Sequence, residues 1–121
     1  MGGTAGMEGA DDFAQVWVDA WNAHDVEAVL AHFRDDVVFT SPVAERVVPG
    51  SGGVVRGKTA LRDYWTRALA QLPDLHFEVV AVYRGVSSIV INYRNHRGRL
   101  VNEVLIFDGD LVREGHGTYL D

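Results

Sequence analysis

The chain has 121 residues with 47% hydrophobic and 10% aromatic content, enough to fold as one domain around a single core. Its formal net charge is −6 and its Lys and Arg residues form no cluster, which argues against a nucleic-acid partner. It has no cysteine, which excludes disulfides, thiolate metal sites and cysteine nucleophiles, and no apolar run approaches a membrane span, so a cytoplasmic protein is the simplest reading.

Met1–Gly9 is Gly-rich and lacks the basic and apolar regions of a signal peptide. Residues 1–10 are therefore expected to be a disordered tail, with one domain over 11–121. Phe13, Val16, Trp17, Ala20 and Trp21 recur at helical spacing, and Asp12 with Gln15 resembles a capping box. Asp25 can cap a second helix whose apolar face is Val26, Val29, Leu30 and Phe33. Val37–Thr40 reads as a short strand stopped by Pro42, and residues 43–57 as a loop with Pro49 and four glycines. A third helix is expected from about Lys58 to Leu72, ended by Pro73.

Leu75–Arg84 reads as a strand, and residues 88–120 as three more joined by turns at Arg97-Gly98 and Asp108-Gly109. The element order is that of an α+β fold. If both turns have two residues, Asn92 lies opposite Glu103 and Glu103 opposite Glu114. One face then carries Val90, Asn92, Val101, Glu103, Leu105, Val112, Glu114, His116 and Thr118. An amide, two carboxyls and an imidazole on an apolar face suit a pocket that moves protons, since burying such groups unpaired is costly. The other face carries Ile89, Ile91, Tyr93, Val104 and Ile106, whose cover is expected to be a second copy of the chain.

Four runs resemble the nuclear transport factor 2-like superfamily, in particular its SnoaL-like branch. They are Phe13–Asp25, Phe33–Phe39, Arg56–Trp65 and Phe107–Glu114, and they come in that family's order. The resemblance covers nearly the whole chain from Asp11. It implies a cone-shaped, strongly curved antiparallel sheet wrapped around three helices, the cystatin-like fold, with a deep apolar pocket. Relatives include polyketide cyclases, isomerases, dehydratases, epoxide hydrolases and non-catalytic binders, so the fold alone does not fix the activity.

Ketosteroid isomerases, which the branch also resembles, use a Tyr on the first helix, an Asp before a Pro and a protonated Asp on the sheet. The corresponding residues in this chain are Trp17, Ser41 and Glu103. Only the sheet acid survives, so the general base of that mechanism is missing. SnoaL-like cyclases are similar in using an acid and a His on the sheet, which points to His116 beside Glu103; the run Arg113-Glu-Gly-His-Gly117 lacks their second acid.

Glu103 is the leading acid–base candidate, because an apolar cavity raises a carboxyl pKa and a neighbouring Glu114 would raise it further. His116 is its expected partner. Trp17, Trp21, Trp65, Asn92 and Glu114 are expected to bind the substrate. His24, His32, His76 and His96 read as turn or surface residues, and none has metal-ligand spacing, so neither a metal nor another cofactor is expected. Gly52–Thr59 fits the P-loop expression, but it follows a Pro/Gly loop rather than a central strand and carries Val54 and Val55 inside it.

Two functions fit these residues. One is a cofactor-independent enzyme that isomerises, dehydrates or cyclises a hydrophobic oxygenated molecule such as a polyketide or steroid-like compound. The other is a non-catalytic ligand-binding or dimerisation module. Both imply a hydrophobic small-molecule partner, no nucleic acid or membrane partner, and a homodimer formed through the outer sheet face.

Overall fold

The computed structural model describes residues 9–121. The expected tail lies outside the described residues except for Gly9 and Ala10. Ala10 is 1% exposed and opens the first helix, α1 (Ala10–Asn22). The capping box does not form: Gly9 occupies the N-cap and Gln15 bonds to Asp19. Asp11 and Asp12 still favour this helix end by placing negative charge in its first turn. Trp17 and Trp21 are buried, whereas Val16, expected on the same stripe, is 49% exposed.

A tight turn leads into α2 (Val26–Leu30), with Asp25 Oδ1 accepting from the Ala28 amide at 3.1 Å as an N-cap should. Strand β1 (Phe33–Thr40) follows. Residues 43–57, expected as loop, contain a helix and a strand. In α3 (Pro42–Val47) the Ser41 hydroxyl accepts from the Val43 amide at 3.1 Å and Pro42 fills the first turn, where its missing N–H costs nothing. Ser41-Pro42 is thus a helix start as well as a strand stop. Val54–Arg56 forms edge strand β2, antiparallel to β1, which takes the P-loop-like run out of any phosphate-cradling loop. Helix α4 (Lys58–Gln71) precedes β3 (Glu78–Arg84), β4 (Ser88–Arg94), β5 (Leu100–Asp108) and β6 (Leu111–Tyr119).

Among the described residues the result is an α+β fold with one six-stranded curved sheet, in the order β2-β1-β6-β5-β4-β3, and four helices where three were expected. Four of the neighbouring pairs are antiparallel, but β1 runs parallel to β6. Register breaks in β1/β6, β3/β4 and β5/β6 mark where the strands bend. The Asn22 side chain donates to the Phe77 carbonyl and accepts from the Phe77 amide, at 2.9 and 2.8 Å, tying the end of α1 to the start of β3.

Leu30, Phe33, Leu61, Ile89, Ile91, Leu105 and Val112 form the fully buried centre. Leu105→Ala is expected to cost about 2–5 kcal/mol in chemical denaturation, because a fully enclosed site cannot collapse around the lost atoms.

The predicted hairpin register is wrong in both turns. Asn95–Arg99 make a five-residue loop: the Asn95 amide donates to the Arg99 carbonyl, and Asn95 Oδ1 accepts from the amides of Arg97 and Arg99. Ile91, not Asn92, therefore pairs with Glu103. In the second hairpin the turn is Gly109-Asp110, and a bulge follows beyond the Phe107–Val112 pair, so Gly117 rather than Glu114 lies opposite Glu103. Both slips are odd-numbered, which reverses the faces of β4 and of β6 after the bulge. Ile89, Ile91 and Tyr93 point into the core, while Asn92, Glu114 and His116 stand on the outer face.

Candidate functional site

A cavity of about 340 Å³ opens between the inner face of the sheet, α1, α3 and α4. This volume lies in the range of small-molecule sites. Trp17, Trp21 and Trp65 form part of its wall, and Glu103 is the acidic residue in its lining. Trp17 stacks on Phe77 with centroids 5.8 Å apart, and Trp21 meets Trp65 edge-on at 4.9 Å. These large rings give the cavity flat apolar sides.

Glu103 is 6% exposed. Tyr93 donates to its Oε1 at 3.3 Å. Desolvation pushes the Glu103 carboxyl from its ordinary 4.5 up to about 7, and the Tyr93 hydrogen bond opposes only part of the rise. The acid can therefore hold or release a proton near neutral pH. Glu114 has no part in this shift, because it stands on the other face of the sheet.

Three phenols share the cavity with Glu103. Burial raises the pKa of Tyr93, Tyr64 and Tyr119, and the Glu103 charge adds to the rise in each. The Ser41 hydroxyl partly offsets it for Tyr64 and Tyr119. All three stay neutral; the Tyr93 proton is held by Glu103, and Tyr64 and Tyr119 can donate a hydrogen bond to a ligand oxygen. Sequence reasoning missed this group. Tyr93 is expected on the outer face from the sequence, a placement that the five-residue loop reverses, and no sequence signal marks Tyr64 or Tyr119 as pocket residues.

Gly117 keeps the acid accessible. It pairs with Glu103 across the β5–β6 ladder, and a Cβ built there would lie 3.4 Å from Ser41 Oγ and 3.8 Å from Glu103 Oε1. A longer side chain would occupy the space over the carboxyl.

His96 was also missed. Its side chain is 10% exposed and lines the cavity, and neither ring nitrogen has a hydrogen-bond partner. Its turn position was legible in the sequence, but the inward direction was not. The Trp21 indole N–H is likewise buried and unpartnered. Such groups are costly to leave unmet, and both residues belong to the cavity wall.

The remaining expected site residues lie outside the cavity. On the outer face, His116 Nδ1 meets Thr40 Oγ1 at 2.6 Å and its Nε2 meets Glu114 Oε1 at 2.8 Å. Asn92 there donates to Asn102 Oδ1 at 2.8 Å. The sheet thus separates these three residues from Glu103, Trp17, Trp21 and Trp65. Among the described residues no group of His, Asp or Glu could hold a metal ion, and no helix is long and apolar enough to cross a membrane.

A curved sheet over helices, with one acid in an aromatic cavity, is the architecture of the nuclear transport factor 2-like class. Residues 14–112 match the family model of the SnoaL-like domain, and the chain belongs to that family. A SnoaL-like protein of unknown function from Burkholderia thailandensis is 41% identical, covers 93% of this chain and 94% of its own, and superposes with a TM-score of 0.86. More distant structures share the fold. A putative ketosteroid isomerase from Kribbella flavida is 15% identical over 96% of this chain and 81% of its own, with a TM-score of 0.75. TerC, crystallised with polyporic acid, is 12% identical over 91% of this chain and 90% of its own, with a TM-score of 0.74. No curated protein matches the sequence.

Proposed function

We propose that the protein is a cofactor-independent enzyme that moves protons on a hydrophobic, oxygenated small molecule, with Glu103 as the acid–base group. The observation that carries this reading is a single carboxyl buried in an aromatic-walled cavity and poised at about 7. Glu103 takes a proton from a carbon next to a carbonyl or returns one to an oxygen. The neutral hydroxyls of Tyr64 and Tyr119 stabilise the oxyanion that forms, while Tyr93 holds the Glu103 carboxyl in place. Isomerisation, dehydration and aldol-type ring closure all need this pair of services. His116, expected as the partner of Glu103, is replaced in this scheme by the phenols. The names of the distant relatives, a putative ketosteroid isomerase and a protein crystallised with polyporic acid, agree with a cyclic oxygenated ligand.

Deuterium exchange from D2O into the acidic C–H of 2-tetralone, followed by NMR, tests the reading. The wild-type protein is expected to accelerate exchange over buffer, and Glu103→Gln to lose about a hundredfold or more of that acceleration. Equal rates in protein and buffer would leave the fold as a binding module.

We also propose a homodimer through the outer sheet face. Ile89 and Ile91 do not form that face, as both are fully buried inward. Val90, Val104 and Ile106 do, beside Tyr83 at 61% exposure. Light scattering is expected to give twice the 13.3 kDa of the chain, and Ile106→Lys to return the mass of one copy. A wild-type mass of one copy at micromolar concentration would refute the dimer.

A further inference from the structure

The charged residues of the cavity are unevenly distributed. Among the described residues Glu103 is its one acid, buried at 6% exposure, whereas Arg46, Arg97 and Arg99 line it from exposed positions. The chain carries a net charge of −6, yet this rim is cationic. Two separate elements build it: Arg46 lies in the last turn of α3, and Arg97 and Arg99 lie in or beside the β4–β5 loop.

Little inside the molecule neutralises this charge. Among the described residues Arg46 and Arg97 make no salt bridge, and the one of Arg99 is to exposed Asp121 at 3.7 Å. The Arg99 guanidinium instead lies 5.2 Å over the ring of Tyr119, itself a cavity residue. Next to these arginines, His96 presents two buried nitrogens that bond to nothing, and its nearest carboxylate, Asp74, stands 3.9 Å away. An unpartnered imidazole that lines the same cavity as three arginines suits an incoming acceptor that carries negative charge.

We infer that the cavity mouth is an anion subsite, and that the ligand is an aromatic or polyunsaturated acid whose carboxylate docks between His96 and the arginines while its ring system runs inward toward Glu103. This inference rests on the cavity being the working site and adds the substrate class to that reading. The arginines steer and hold the anion, the His96 ring N–H donates to one of its oxygens, and the Trp21 indole offers a further donor along the wall.

Calorimetric titration with two probes of equal shape, 2-naphthoate and 2-naphthamide, tests it. The wild-type protein is expected to bind the carboxylate about tenfold or more tightly than the amide. Arg97→Gln/Arg99→Gln should bring the two within about twofold while leaving the melting temperature in place, because both residues are exposed. His96→Phe keeps the ring volume and removes both unmet nitrogens. It should weaken naphthoate binding several-fold, weaken naphthamide binding less, and melt at or above the wild-type temperature, which a purely structural histidine would not do.

Equal affinity for the two probes, no binding of either, or a preference that survives the double arginine variant would each overturn the subsite. Glu103→Gln should retain the carboxylate preference. Proton exchange without that preference therefore removes the subsite alone, and the preference without exchange removes the acid–base reading alone.

Discussion

Glu103→Gln is expected to stabilise the protein at pH 8 while removing its proton-transfer activity. The sign follows from the raised pKa. The folded state keeps a proton on Glu103 up to about 7, whereas the unfolded chain releases it near the ordinary 4.5. Below the lower value both states are protonated and the group is neutral in the balance. As pH rises between the two values, folding must hold a proton the solvent would accept, and stability falls. Above the upper value the folded protein carries a buried carboxylate, at a cost on the order of 3 kcal/mol. Glutamine keeps the shape and the oxygen that accepts from Tyr93 but cannot ionise. Denaturation curves should therefore coincide near pH 4 and separate by about 1–3 kcal/mol at pH 8, with the variant the more stable. A variant less stable than wild type at both pH values would show that the carboxylate is stabilised by its surroundings.

Gly117→Leu is expected to weaken ligand binding about tenfold or more while the protein still folds. Residue 117 faces Glu103 across the ladder, and its added Cβ would make ordinary contacts at 3.4–3.8 Å. Alanine should therefore be tolerated with little change in stability. The further carbons of leucine would extend over the Glu103 carboxyl and fill that part of the cavity. Affinity for a cavity-sized aromatic probe is expected to fall about tenfold or more, with a retained cooperative melt. Gly115→Ala offers a contrast, because its Cβ would come within 3.0 Å of the Phe39 ring and 3.2 Å of Leu105. That change should cost stability without occupying the site. Unchanged probe affinity in Gly117→Leu would mean that ligands do not approach Glu103 from this side.

The architecture was legible in the sequence because it rests on strong periodic signals. The helices around Trp17 and Trp65 and the strand alternation of β5 follow from side-chain spacing alone. The alternation Val101, Glu103, Leu105 also put the acid on the buried face, independent of any partner strand. What failed were the pairings across the two hairpin turns, although Val112, ahead of the bulge, does face inward. A glycine marks a turn but does not fix its length. Asn95 converts the first from two residues to five by accepting two amides with its own side chain. A bulge after Val112 shifts the second. Each error moved a whole set of polar residues to the wrong face, taking Asn92, Glu114 and His116 into the cavity on paper and Tyr93 out of it. The small residues of β6 were the usable signal: Gly115 and Gly117 sit where Leu105 and Glu103 need room. The α3 helix was missed because Ser41-Pro42 reads equally well as a strand stop and as a helix start.

The central claim is that Glu103 exchanges its proton near neutral pH inside the cavity. The direct measurement is an NMR titration of the glutamate side-chain carboxyl carbons, with Glu103 assigned by the signal that disappears in Glu103→Gln. The Glu103 resonance is expected to titrate near 7, well above the ordinary glutamate value. A Glu103 resonance that titrates at about 4.5 or lower would contradict the account.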